Sequence, residues 1–159
     1  MIKIRHIDEK KYEATNGKEI LIIDAEKYSP VELFITGMGN CSLFDVVEMA
    51  KNKGYEIEAE MEIESKRRDT FPKIFTEFHF IYKLKSNADN ITAKRWVLSS
   101  LETYCSTINT VRNTSKIYYT IILNKDTIAY KEAIISGDAK TELPTFEEDE
   151  GFGCACCNT

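Results

Sequence analysis

Two cysteines in this chain stand where a thiol can do chemistry. Cys41 falls within "GMGNCSLFDVV" (37–47) and Cys105 within "LETYCSTINTV" (101–111). Each lies among apolar residues at helical spacing, where a free cysteine often serves only as a small hydrophobe. Three features set Cys41 apart. Gly37 and Gly39 remove side chains just before it, which leaves room for another backbone or a substrate. Each of those glycines costs a helix roughly 1 kcal/mol relative to alanine. Asn40 and Ser42 flank the thiol with polar groups, and Asp45 puts a carboxylate one turn further along the same face.

A second group of thiols closes the chain in "GFGCACCNT". Cys154, Cys156 and Cys157 are enough to hold a soft metal ion such as Cu(I), Zn²⁺ or arsenite. They also suit a relay of electrons to other thiols, or have no role in a mobile tail. A structural zinc site normally takes four ligands, and the histidines, His6 and His79, are distant in sequence. A prenylation box fails because the middle residues of "CCNT" are not aliphatic.

The elements that position these residues can be read from periodicity. "MIKIRHI" alternates with period two, and "KEILIIDA" follows the turn signal Asn16-Gly17, which predicts a hairpin. Ser29 and Pro30 suit the N-cap and first position of a long helix, and Gly54 suits its end. That helix is apolar on so many sides that a central, buried place is expected. "YEIEAEMEIES" and "KIFTEFHFIYKLK" read as half-buried strands, with His79 on the polar, solvated side of the second. Asp89-Asn90 opens a second long helix through Val111 that carries Cys105, and "KIYYTIIL" is a last strand. From residue 124 the character changes to a short, possible helix over Thr127–Ile135, an acidic run at Glu147–Glu150 and the cysteine-rich end. The expected organisation is one domain over 1–123 with an extension over 124–159.

Composition bounds the rest. The 159 residues, 43% apolar and 30% charged, suffice for one domain with a core. The net charge of −5 argues against a nucleic-acid surface. The short cluster Lys66, Arg67, Arg68 reads as a solvated loop or strand end. No apolar run approaches the ~18 residues that span a bilayer, and the start has no signal-peptide core. A cytoplasmic location with reduced thiols is the expectation. Five irregularly spaced cysteines do not form a secreted disulfide framework. There is no phosphate loop, dinucleotide fingerprint or histidine–carboxylate metal cluster.

Four motifs in order resemble the OsmC/Ohr superfamily of thiol-dependent peroxidases and their OsmC-like relatives. They are "SPVE" at the helix opening, "GNCSLFDVV", "PKIFT" and "YC" on the second helix, and the likeness runs from about Thr15 to about Leu123. The resemblance implies an α/β (α+β) fold with two long central helices wrapped by curved, mainly antiparallel sheets. It also implies an intertwined homodimer with active sites at the subunit interface. By resemblance Cys41 matches the peroxidatic cysteine and Cys105 the resolving one. The thiolate would become a sulfenic acid, then a Cys41–Cys105 disulfide, which an external dithiol reductant reopens.

The peroxidase subfamilies place a glutamate directly after the proline and an arginine in an N-terminal turn. This chain has Val31 there, with Glu32 one place later, and Lys18 in the turn. One place on a helix is a rotation of ~100°. The pattern is nearer the OsmC-like branch. The sequence therefore predicts an OsmC-like thiol redox protein that reduces organic hydroperoxides through Cys41 and Cys105. Glu32 and Asp45 are further catalytic candidates, no cofactor is required, and a soft metal is possible at Cys154, Cys156 and Cys157. The alternative is a non-catalytic dimer that binds a small apolar ligand, a soft metal or a sulfur species.

Overall fold

The computed structural model describes residues 1–70 and 72–135. It contains two compact units, Met1–Gly37 and a larger one from Met38 onward.

In the first unit, β1 (Lys3–Asp8), β2 (Lys11–Thr15) and β3 (Ile20–Asp24) form an antiparallel sheet in that order. The sequence predicted a hairpin of two strands, and the structure inserts β2 between them. Both connections are tight. Glu9 takes a positive φ of 34° in the first, and Gly17, at φ +93°, sits in the second. There the Asn16 Oδ1 accepts from the amides of Lys18 (2.8 Å) and Glu19 (2.9 Å). The register puts Ile4, Ala14 and Leu21 in one row, and His6, Tyr12 and Ile23 in the next row of the same face. Ile4 and Leu21 remain largely exposed on it.

Helix α1 (Pro30–Asn52) begins in the first unit and runs on into the second. Its start is a capping box of the Ser-x-x-Glu type. The Ser29 amide donates to the Glu32 carboxylate at 2.7 Å, and the Glu32 amide donates to the Ser29 hydroxyl at 3.2 Å. Gly54 ends it with φ +77°, as its sequence position predicted. Burial begins only at Met38 and falls on Met38, Gly39, Cys41, Ser42, Asp45, Val46, Met49 and Ala50. Phe34 and Phe44 are exposed, so the helix is buried on one face rather than all round.

The second unit holds a four-stranded sheet in the order β4 (Ile57–Arg67), β5 (Phe75–Ser86), β6 (Lys116–Leu123), β7 (Asp126–Ala133). Phe78, Phe80, Tyr82 and Leu84 of β5 and Ile117, Tyr119, Ile121 and Leu123 of β6 form its buried face. Glu58, Glu60 and Glu62 of β4 pair with lysines of β5, as in the Glu58–Lys85 pair at 3.1 Å. β7 corrects the helix expected over Thr127–Ile135; its residues pair with β6 instead. β5 and β6 run parallel while the other pairs are antiparallel. A parallel pair needs a crossover, and the crossover here carries Cys105.

That crossover was expected to be one long helix and is three pieces. Helix α2 (Asn90–Ser99) starts on Asp89, whose carboxylate accepts the Thr92 amide at 2.8 Å. A π-helical turn follows over Ser100–Tyr104, then α3 (Ser106–Val111). Between them Cys105 is extended (φ −68°, ψ 104°).

Candidate functional site

The site is built where α1, β5 and the π turn meet. Cys41 lies on the buried face of α1, 7% exposed, and Cys105 is 0% exposed. The two thiols are in hydrogen-bonding contact. Both are reduced. The sequence named this pair, and the structure brings it together.

The break in the crossover is what aims Cys105. Its amide donates to the Ser100 carbonyl at 2.9 Å, closing the π turn, and its extended backbone then starts α3 in a new direction. Asn109 fixes this junction by donating its side-chain amide to the carbonyls of Thr103 (3.0 Å) and Cys105 (2.9 Å). Irregular helical turns of this kind recur at functional sites. Burial pushes the Cys105 thiol up to about 12, against the favourable contacts of the Thr107 hydroxyl (3.2 Å) and the Ile108 amide. Its contact with Cys41 pushes it further in the same direction.

Beside the thiols runs a buried polar chain. The Ser42 hydroxyl bonds the Tyr82 phenol at 2.6 Å and the Ser100 hydroxyl at 2.8 Å. Ser100 in turn lies 3.2 Å from the Asp45 Oδ2 and donates to it. Burial raises the Asp45 carboxyl above the usual carboxylate range, and the Ser100 hydrogen bond opposes that rise. The sequence placed Asp45 on the same face as Cys41, and the structure joins it to the cluster through Ser100. The Tyr82 phenol is driven above its ordinary value mainly by burial, with Cys105 and Asp45 both adding electrostatically.

Gly39 explains one of the two glycines before Cys41. A Cβ there would meet the Ile63 Cδ1 at 2.4 Å and the Met61 Sδ at 3.3 Å, so β4 side chains occupy its place. At Gly37 a Cβ would meet nothing within 4 Å.

Glu32, also named from sequence, is engaged at the start of α1. Its carboxylate accepts from the Ser29 amide and from the Ser29 hydroxyl at 2.6 Å, and these bonds hold it below the usual range. Cys154, Cys156 and Cys157 lie outside the described residues. Among the described residues no cluster of three or more His, Cys, Asp or Glu side chains is arranged to hold a metal. His79, expected to be solvated, is instead 7% exposed, because Glu64 (3.1 Å) and Thr120 (2.8 Å) clamp its two ring nitrogens.

Sequence reasoning missed Tyr82, Ser100 and Arg112. Tyr82 reads as a core residue of β5, and Ser100 as an ordinary helix position. In the sequence Arg112 is one cation among many, with nothing there to place it. It is 7% exposed, its Nη2 donates to the Leu101 carbonyl at 2.5 Å, and it interacts electrostatically with Glu102 and Cys105.

The OsmC-like protein family matches residues 23–120, and the chain belongs to that family. Protein YhfA of Escherichia coli K12 is 32% identical over 100 residues, spanning 59% of this chain and 74% of its own. An OsmC-like protein from Mycoplasma pneumoniae has the same fold, with a TM-score of 0.67, 17% identity, and 77% of this chain and 95% of that one covered. An organic hydroperoxide resistance protein OsmC from Legionella pneumophila superposes with a TM-score of 0.54 at 17% identity, covering 76% and 96%. Among the described residues no helix is long and apolar enough to cross a membrane.

Proposed function

We propose that this protein is a thiol-dependent reductase of organic hydroperoxides that works as a homodimer. The contact between the Cys41 and Cys105 thiols carries this reading. The Cys41 thiolate attacks the terminal peroxide oxygen, the O–O bond breaks, and the alcohol leaves with a proton as Cys41 becomes a sulfenic acid. Cys105 then attacks the Cys41 sulfur. An S–S bond forms and water leaves. An external dithiol returns two electrons, reopens the disulfide and is itself oxidised.

The difference in exposure supports this order of the two thiols. Cys41 retains some access while Cys105 has none. Burial also keeps Cys105 protonated near neutral pH, which suits a second thiol held back until a sulfenic acid is beside it. Asp45, Ser100, Ser42 and Tyr82 supply exchangeable protons along one chain of hydrogen bonds, and that chain is suited to protonate the departing alkoxide. Membership of the OsmC-like family and the hydroperoxide resistance role named for the Legionella protein support the same substrate class. The exposed apolar residues of the β1–β3 sheet support a second copy as partner.

The test is one equivalent of cumene hydroperoxide followed by mass spectrometry of the intact protein and its peptides. The expected product is a Cys41–Cys105 disulfide formed far faster than free cysteine reacts. Cys105→Ser should stop at a Cys41 sulfenic acid trapped by dimedone, and Cys41→Ser should consume no peroxide. Oxidation of the wild type no faster than free cysteine would sink the proposal.

A further inference from the structure

Arg112 is a buried cation that the chemistry above leaves without a task. Cys105 stands at the N-terminal end of α3 and Arg112 at its C-terminal end. Two helical turns separate them, so both lie on the same face. The Arg112 side chain folds back along that face until Nη2 reaches the carbonyl of Leu101, a residue that precedes Cys105. Arg112 is 7% exposed and Cys105 0%, so the guanidinium and the thiol share one buried region. The two groups interact electrostatically. A guanidinium is less strongly hydrated than an ammonium and keeps its charge when buried.

We propose that Arg112 holds the negative charge of Cys105 whenever that sulfur is a thiolate, above all as the leaving group when the disulfide is reduced. In that step the external thiolate attacks the Cys41 sulfur and a mixed disulfide forms. The Cys41–Cys105 bond breaks, and the electron pair leaves on Cys105 beside the guanidinium. A leaving thiol departs faster when its anion is stabilised. The same charge is present in reverse when Cys105 attacks the Cys41 sulfenic acid. The inference rests on the Cys41–Cys105 pairing proposed above, but not on the identity of the oxidant.

The ionisable groups that interact with Cys105 are Cys41 on α1, Tyr82 on β5 and Arg112, while Asp45 on α1 acts on Tyr82 and Glu102 on the π turn acts on Arg112. Asp45 and Glu102, where ionised, add negative charge, so Arg112 is the cation of the set. Removing it should raise the pH at which Cys105 ionises.

The disulfide is therefore made with diamide, which needs no peroxide, and its reduction by dithiothreitol is followed from pH 6 to 9. Arg112→Met should slow reduction by tenfold or more, and Arg112→Lys should recover part of the loss. In a Cys41→Ser background, absorbance at 240 nm should show Cys105 ionising at higher pH with Arg112→Met than with Arg112 intact. First-turnover oxidation of Cys41 by cumene hydroperoxide should change less than twofold. Equal reduction rates for the wild type and Arg112→Met, with unchanged circular dichroism, would overturn the role. So would a loss that Arg112→Lys does not relieve while the Cys105 titration stays put. Failure of the wild type to form the diamide disulfide would overturn both proposals, whereas failure with peroxide alone would overturn only the peroxidase reading.

Discussion

Asp45 shows how a single buried group makes the stability of this protein depend on pH. Its carboxyl is raised by burial, with one hydroxyl, that of Ser100, opposing the rise. A group whose folded value is raised contributes most below its unfolded value, near 3.8, and that contribution is lost as pH rises through the folded value. Asp45→Asn keeps the shape and removes the charge. Thermal melts should therefore show the variant gaining on the wild type as pH rises from 4 to 8. The gain is on the order of 1 kcal/mol per unit of upward shift, or about 3 °C. If Asp45 also belongs to the proton chain, the same variant should lose peroxide turnover while gaining stability. Cys41, Cys105 and Asp45 were legible in the sequence because their types are unusual in an apolar stripe. Ser42 was read only as polar company for Cys41. Tyr82 and Ser100 were not legible, since a phenol in a strand and a serine in a helix are unremarkable until the fold apposes them.

At the scale of elements, the two glycines of α1 have opposite physical meanings. Gly39 faces Ile63 and Met61 of β4, and Gly37 faces open space in this chain. Gly37→Ala should raise stability by about 0.5–1 kcal/mol through helix propensity alone. Gly39→Ala should lower it by about 1–2 kcal/mol, because the Ile63 side chain must leave its place. Denaturant midpoints compare the two directly. Helix starts and stops were read well, at Ser29, Asp89 and Gly54, because capping is local chemistry. The strand β7 and the break at Cys105 were not. β7 reads as a weak amphipathic segment whose state is decided by pairing with β6. The π turn leaves the apolar spacing of a helix almost unchanged, so nothing in that spacing marks it.

For the whole molecule, the first unit carries the strongest prediction. A three-stranded sheet with Ile4, Leu21 and Ile23 on one face needs something to cover it. If a second copy does so, sedimentation should give a dimer at micromolar concentration. Leu21→Glu should then weaken that dimer at least tenfold without unfolding the second unit. A wild-type monomer at that concentration would contradict the assembly. The family and its α/β class were readable from four short motifs in order, while partners are written in faces that only the register of β1, β2 and β3 defines.

The parallel pairing of β5 with β6 has a consequence for how the chain reaches this state. Neighbouring antiparallel strands can zip from a turn, but β6 can dock on β5 only after the whole crossover between them has collapsed onto the sheet. Cys105 sits in the middle of that crossover and Cys41 lies ahead of both strands. The expectation is that the two sulfurs meet late in folding. Diamide added during refolding tests this order, since a Cys41–Cys105 disulfide captured before the β-sheet signal develops would contradict it.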